Sequence, residues 1–139
     1  MSQTLLQVKI VTPDKKVFQS EAIMVHSETK LGKIEFLVNH APAILSTVPC
    51  ETIVKDEDGT EIRFFTSKGI ISIKDYILSF CCDSAEAIED IDIERAKKSK
   101  EKALRRMADP EKYNYKRAKD SLLRAEVRLN MKKNNVDLE

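Results

Sequence analysis

Only three glycines, three cysteines and two histidines occur in the 139 residues. Gly32, Gly59 and Gly69 are too scattered to form the G-x-x-x-x-G-K-[ST] loop that cradles nucleotide phosphates. The G-x-S-x-G, H-E-x-x-H and C-x-x-C motifs are absent too, removing common hydrolase, zinc-protease and dithiol chemistries. Cys50, Cys81 and Cys82 lack metal-ligand spacing, and adjacent strand residues face opposite ways, so Cys81 and Cys82 cannot readily grip one ion. With His26 and His40 the only imidazoles, no metal site is expected, and the thiols are expected to be free in a reducing compartment. No apolar run approaches the roughly 18 residues of a membrane span. The opening Met1-Ser2-Gln3-Thr4-Leu5-Leu6 lacks the basic and apolar regions of a secretory signal, so an intracellular protein is expected. Excess charge of either sign is also missing. The 24 basic and 23 acidic side chains leave a formal net charge of +1, which excludes a uniformly basic nucleic-acid binder but allows a local basic patch.

What is present divides into two halves. Residues 1–85 carry 9 basic and 11 acidic side chains; the shorter stretch 86–139 carries 15 and 12. All five phenylalanines and all three glycines precede residue 86, so a compact core with sharp turns is expected only there. Two domains follow, 1–85 and 86–139.

Strand signals fill the first. Leu6, Val8 and Ile10 alternate with Gln7 and Lys9 until Pro13-Asp14 interrupts them. Val17-Phe18, Ile23-Met24-Val25, Thr52-Ile53-Val54, Ile62-Arg63-Phe64-Phe65, Ile70-Ile71-Ser72-Ile73 and Tyr76 to Cys82 follow. Asp58-Gly59 is a hairpin signal for a tight primed turn, and Lys74-Asp75 is read as a second tight turn. This pattern predicts an antiparallel β-sandwich.

The second domain changes period. Ile93, Ala96, Lys100, Ala103 and Met107 are spaced 3, 4, 3, 4, as are Tyr115, Ala118, Leu122, Ala125 and Leu129. Asp90 and Asp92 suit a helix N-terminus, Arg105-Arg106 suit its C-terminus, and Asp109-Pro110 ends it. The prediction is an antiparallel two-helix hairpin with a narrow, alanine-containing seam. Such a seam buries little area, so the hairpin is expected to be marginal and responsive to what it touches.

Four motifs in order carry a family resemblance. They are Val8-Lys9-Ile10-Val11-Thr12-Pro13-Asp14, the loop Asn39-His40-Ala41-Pro42, Lys68-Gly69-Ile70, and Ile91-Asp92-Ile93-Glu94-Arg95-Ala96. Together they resemble the epsilon subunit family of the F-type ATP synthase. The match departs at Glu35 and Asn39, where the family commonly has glycine, and at Lys33, commonly acidic. A backbone requiring φ > 0 at Glu35 would make that loop diverge, whereas Asn39 tolerates a left-handed conformation.

The resemblance implies a non-catalytic central-stalk rotor subunit of a proton- or sodium-translocating complex. It would lie at the cytoplasmic face of the bacterial membrane, peripherally and without insertion. Its implied partners are the gamma subunit, the c-ring and an acidic segment of the beta subunit, with Gly32, Asn39, His40, Ala41 and Pro42 at subunit contacts. The hairpin would regulate ATP hydrolysis. No cofactor is required, but some members bind ATP as a regulatory ligand, at positions matching Glu86, Asp92, Arg95, Lys102, Arg124 and Arg128. From the residues alone, Arg124 and Arg128 lie one helical turn apart, a spacing suited to a polyphosphate or to an acidic protein surface. From Ile93 to Lys133 the local charge is +9, with 15 basic and 6 acidic side chains. The alternatives are a free-standing ATP sensor and a basic nucleic-acid-binding hairpin. The latter lacks a stacking platform, since Tyr113 and Tyr115 are the only aromatics of that region.

Overall fold

The computed structural model describes residues 4–138. The chain divides after Ala87 into two compact units. Among the described residues the first holds ten strands: β1 Leu6–Val11, β2 Lys16–Ala22, β3 Met24–Thr29, β4 Gly32–Leu37, β5 Ala43–Thr47, β6 Cys50–Lys55, β7 Glu61–Thr66, β8 Gly69–Lys74, β9 Ile77–Cys82 and β10 Ala85–Ala87. They form two five-stranded sheets, ordered β2-β1-β9-β8-β5 and β10-β7-β6-β3-β4.

All pairings are antiparallel except that of β1 with β9, where Ile10 lies opposite Phe80. The expected antiparallel sandwich is present, with one parallel junction between β1 and β9. Alternation along β1 buries Leu6, Val8 and Ile10 while Gln7 and Lys9 face solvent. These three join Phe36, Val54, Phe64, Ile71, Leu78 and Phe80 in one core. Because β10 pairs with β7, Glu86 opposite Phe65, residues 85–87 and with them Glu86 belong to the sandwich unit.

Turn chemistry departs from expectation in two places. The β8–β9 turn is Asp75-Tyr76, both at positive φ (51° and 67°), one residue later than Lys74-Asp75. Those values at both central residues define a primed two-residue hairpin, closed by Lys74 opposite Ile77. The β6–β7 loop, in contrast, is not a two-residue primed turn. The Asp56 carboxylate accepts hydrogen bonds of 2.9 Å from the backbone N–H groups of both Asp58 and Thr60. Only Gly59 there has positive φ, 87°.

The second unit begins with a short 3-10 turn, Ile88–Asp90, followed by α1, Ile93–Met107, and α2, Tyr115–Leu138. Asp92 caps α1, its carboxylate accepting from the Arg95 N–H at 3.1 Å. Asn114 does the same for α2 through the Arg117 N–H, also at 3.1 Å. Ala96, Ala103, Ala118 and Ala125 are all buried, so the alanines form the seam. Its expected outer members, Ile93 and Tyr115, are instead 38% and 48% exposed.

Candidate functional site: a basic groove on the helical hairpin

Alanine has almost no side chain beyond the backbone envelope, so two helices meeting on alanines leave a channel between their longer flanking residues. Here that channel is a groove of about 470 Å3 with Ala103 and Ala118 among its lining residues. Its rims carry Lys102, Arg106, Lys112, Arg117, Arg124 and Arg128. Ser99, Ser121, Asn114 and Tyr113 supply the polar remainder, and no described acidic residue lines it.

The walls follow from helical spacing. Ser99, Lys102 and Arg106 lie three and four residues apart on α1, as do Arg117, Ser121, Arg124 and Arg128 on α2, so each set occupies one helix face. Arg124 donates to the Ser121 hydroxyl at 2.9 Å, which orients its guanidinium along the wall. At the turn end, the Arg106 guanidinium carbon is 5.1 Å and the Lys112 Nζ 5.4 Å from the centre of the half-buried Tyr113 ring. Among the described residues, Lys102, Arg106, Lys112 and Arg117 form no ion pair, and cations gathered along one channel repel one another. Any anion placed among them relieves that repulsion and accepts charge-assisted hydrogen bonds.

Of the six positions expected at an ATP site, Lys102, Arg124 and Arg128 share this groove. Asp92 and Arg95 do not line it; Asp92 is engaged as the α1 cap, and Arg95 is exposed one turn before Ser99 on the same face. Glu86 lies half-buried in β10, within the sandwich unit. Arg106, Lys112 and Arg117 were not expected. The signal for Arg106 and Arg117 is an internal repeat: Arg95-Ala96-Lys97, Ser99, Lys102-Ala103 and Arg106 recur at the same spacing as Arg117-Ala118-Lys119, Ser121, Arg124-Ala125 and Arg128, while Lys112 lies between the copies.

Among the residues expected at subunit contacts, Gly32, Asn39, Ala41 and Pro42 are exposed. The loop is held from within: the His40 N–H donates to the Leu37 carbonyl at 3.0 Å. The His40 Nδ1, which must carry a proton to donate to a carbonyl, lies 2.7 Å from the Ala41 oxygen. The imidazole packs at a tilt against the Phe36 ring, with centroids 4.9 Å apart. Neither Glu35 nor Asn39 has positive φ, and Glu35 sits in β4 opposite His26 as an ordinary strand residue. The described residues contain no cluster of ligands able to hold a metal ion, and no described helix is long and apolar enough to cross a membrane.

Two domain families match in tandem. Residues 5–88 match the ATP synthase delta/epsilon chain beta-sandwich domain, and residues 89–133 match the long alpha-helix domain of the same chain. The chain belongs to the ATP synthase delta/epsilon family. The ATP synthase epsilon chain of Clostridium botulinum (strain Eklund 17B / Type B) is 39% identical over 97% of this chain and 100% of its own length. That of Ligilactobacillus salivarius is 33% identical over 94% and 97% respectively. In fold, the chain resembles one from the Euglena gracilis mitochondrial ATP synthase, with a TM-score of 0.78, 19% identity, and coverage of 88% of this chain and 78% of that one. As a member of the delta/epsilon family it is a non-catalytic central-stalk subunit of ATP synthase.

Proposed function

We propose that the sandwich couples the gamma shaft to the membrane c-ring, and that the hairpin regulates ATP hydrolysis through its groove, with ATP as a regulatory ligand. The coupling role is supported by the exposed surface of Asn39, Ala41 and Pro42 on a loop braced by His40, and by exposed Gly32 in a second loop. A rigid loop transmits force better than a yielding one. The subunit works at the cytoplasmic face of the bacterial membrane, peripherally, through the complex rather than by insertion.

One observation carries the regulatory part: Lys102, Arg124 and Arg128 line a groove with no carboxylate, on helices joined through alanines. A triphosphate supplies the missing negative charge, and arginine forks suit its oxygens. A ligand bound only by the closed hairpin stabilises it by about 2.7 kcal/mol at a hundredfold excess over Kd. Four buried alanine methyls contribute about 0.8 kcal/mol each, so the ligand term is of the same order as the alanine part of the seam, to which buried Met131 adds. The acidic segment of the beta subunit would meet the same basic surface in the assembled complex, where charge complementarity speeds docking and fixes orientation.

Calorimetry of the isolated chain with ATP tests this directly. Binding is expected, and it should be lost in the Arg124→Ala, Arg128→Ala double variant, with the sandwich still folded. Absence of heat and of any thermal shift at millimolar ATP would remove the nucleotide from the regulation. Co-purification with the alpha and beta subunits tests membership of the working complex.

A further inference from the structure

The internal repeat gives the groove two basic ends. Arg106 and Arg117, with Lys112, stand at the turn end; Arg124 and Arg128 stand on α2 toward the other. In a hairpin of two antiparallel helices, a repeated pattern is brought face to face with itself in reverse order. Arg106 therefore lies across from Arg117, and Lys102 and Ser99 across from Ser121 and Arg124. Among the described residues, none of Lys102, Arg106, Lys112 and Arg117 forms an ion pair. From Arg117 to Arg128 the wall runs about 16 Å at 1.5 Å per residue. A single triphosphate clustered on Lys102, Arg124 and Arg128 leaves the turn end unused.

We infer that the turn end, built by Arg106, Lys112 and Arg117, is a second anion subsite, and that the whole groove accommodates a linear inorganic polyphosphate engaging both ends. Shape decides between phosphate chains and acidic peptides. A peptide helix is about 10–12 Å across and would ride on the rims, above the Ala103 and Ala118 floor. An unbranched polyphosphate is thin enough to lie within the channel. Its regularly repeated oxygens meet guanidinium forks on both walls, with Ser99 and Ser121 hydroxyls between them. The inference rests on reading the groove as an anion site, but not on ATP being its ligand.

The test titrates the full chain with pyrophosphate, tripolyphosphate and a long-chain inorganic polyphosphate at constant ionic strength. Engaging a second cluster within one ligand should raise affinity by about a hundredfold between tripolyphosphate and the long chain. The Arg106→Ala, Arg117→Ala double variant should lose that gain and keep tripolyphosphate binding only at the Lys102, Arg124 and Arg128 end. Arg106→Gln with Arg117→Gln, which keeps side-chain length and helix propensity, should do the same. A control double variant, Lys98→Ala with Arg105→Ala, removes equal charge from exposed positions outside the groove and should retain the gain. Persistence of the gain without Arg106 and Arg117, or its equal loss in the control, would overturn the second subsite. Equally tight binding of poly-glutamate would assign the groove to acidic peptides instead. Silence toward ATP with length-dependent polyphosphate binding would remove only the nucleotide; ATP binding without length dependence would remove only the second subsite.

Discussion

Thr52 and Thr66 share a hydrogen bond of 2.8 Å between hydroxyls that are wholly buried in the sandwich. The Ser27 hydroxyl lies 3.0 Å from that of Thr52, and the Thr66 hydroxyl donates to the Cys50 carbonyl at 3.4 Å. Each hydroxyl has one proton, so the last donation sets the direction of the others: Ser27 to Thr52, Thr52 to Thr66. This relay ties β3, β6 and β7 together where purely apolar residues would leave strand position less specific.

Thr52→Val removes the middle of the relay, leaving Ser27 with only the weaker Cys50 sulfur at 3.4 Å and Thr66 without its hydroxyl donor. We expect a loss of about 1–3 kcal/mol in urea unfolding, and a smaller one for Ser27→Ala at the relay's start. Equal losses from the two would show that the hydroxyls act independently.

Tyr76 offers the opposite sign. Its φ of 67° is one that glycine adopts freely and an aromatic residue does not. Tyr76→Gly, in a half-exposed turn, should stabilise the chain by about 1 kcal/mol while keeping the Gln7 N–H bond to the residue 76 carbonyl. A lowered melting temperature would mean that the Tyr76 ring contributes contacts outweighing the backbone relief.

The Cys82 thiol is pushed up to about 12 from an ordinary 9.0, first by burial and then by neighbouring Cys81, Asp83 and Cys50. Between those values the unfolded chain releases a proton that the folded chain retains. The associated stability is complete below pH 9 and declines as pH rises toward 12. Denaturant midpoints measured across this alkaline range should fall, and Cys82→Ala should flatten the slope. Alkylation of the native chain should mark exposed Cys81 and spare buried Cys50 and Cys82.

Ending the chain after Ala87 should leave a folded sandwich, since the large apolar core lies wholly within that unit. In the assembled enzyme, ATP hydrolysis is expected to rise or stay level, measured as steady-state turnover. Failure of the truncated subunit to assemble would make the hairpin a docking element rather than a regulator.

Residues with strong alternation announced their strands: Leu6, Val8 and Ile10 on β1, or Ile71 and Ile73 on β8. Strands with little to bury escaped notice. In β4 only Phe36 is fully buried, and β5 leaves Ile44 76% exposed, so neither displays a hydrophobic face of its own. Their pairing is dictated by neighbours distant in sequence, Ser27 opposite Ile34 and Leu45 opposite Ile71. The β8–β9 turn was misplaced by one residue because neither Asp75 nor Tyr76 is a glycine that would flag positive φ. At the groove, Arg124 and Arg128 were legible from their spacing, whereas Arg106 and Arg117 came together only through the reversal of the chain at 108–114. The repeated Arg-Ala-Lys is the available signal, and its spacing of 22 residues is not a multiple of the heptad.

The parallel pairing of β1 with β9 has a consequence for synthesis. β1 lies between β2 and β9, so its second edge stays open until residues near Phe80 have been made. The β1–β2 hairpin can form early, but on the ribosome it must wait with an unpaired, adhesive edge for most of the first unit's translation. Closure comes just as synthesis reaches the first helix. A nascent chain halted before Ile77 would therefore be the form most in need of a chaperone, and one halted shortly after Ala87 would not.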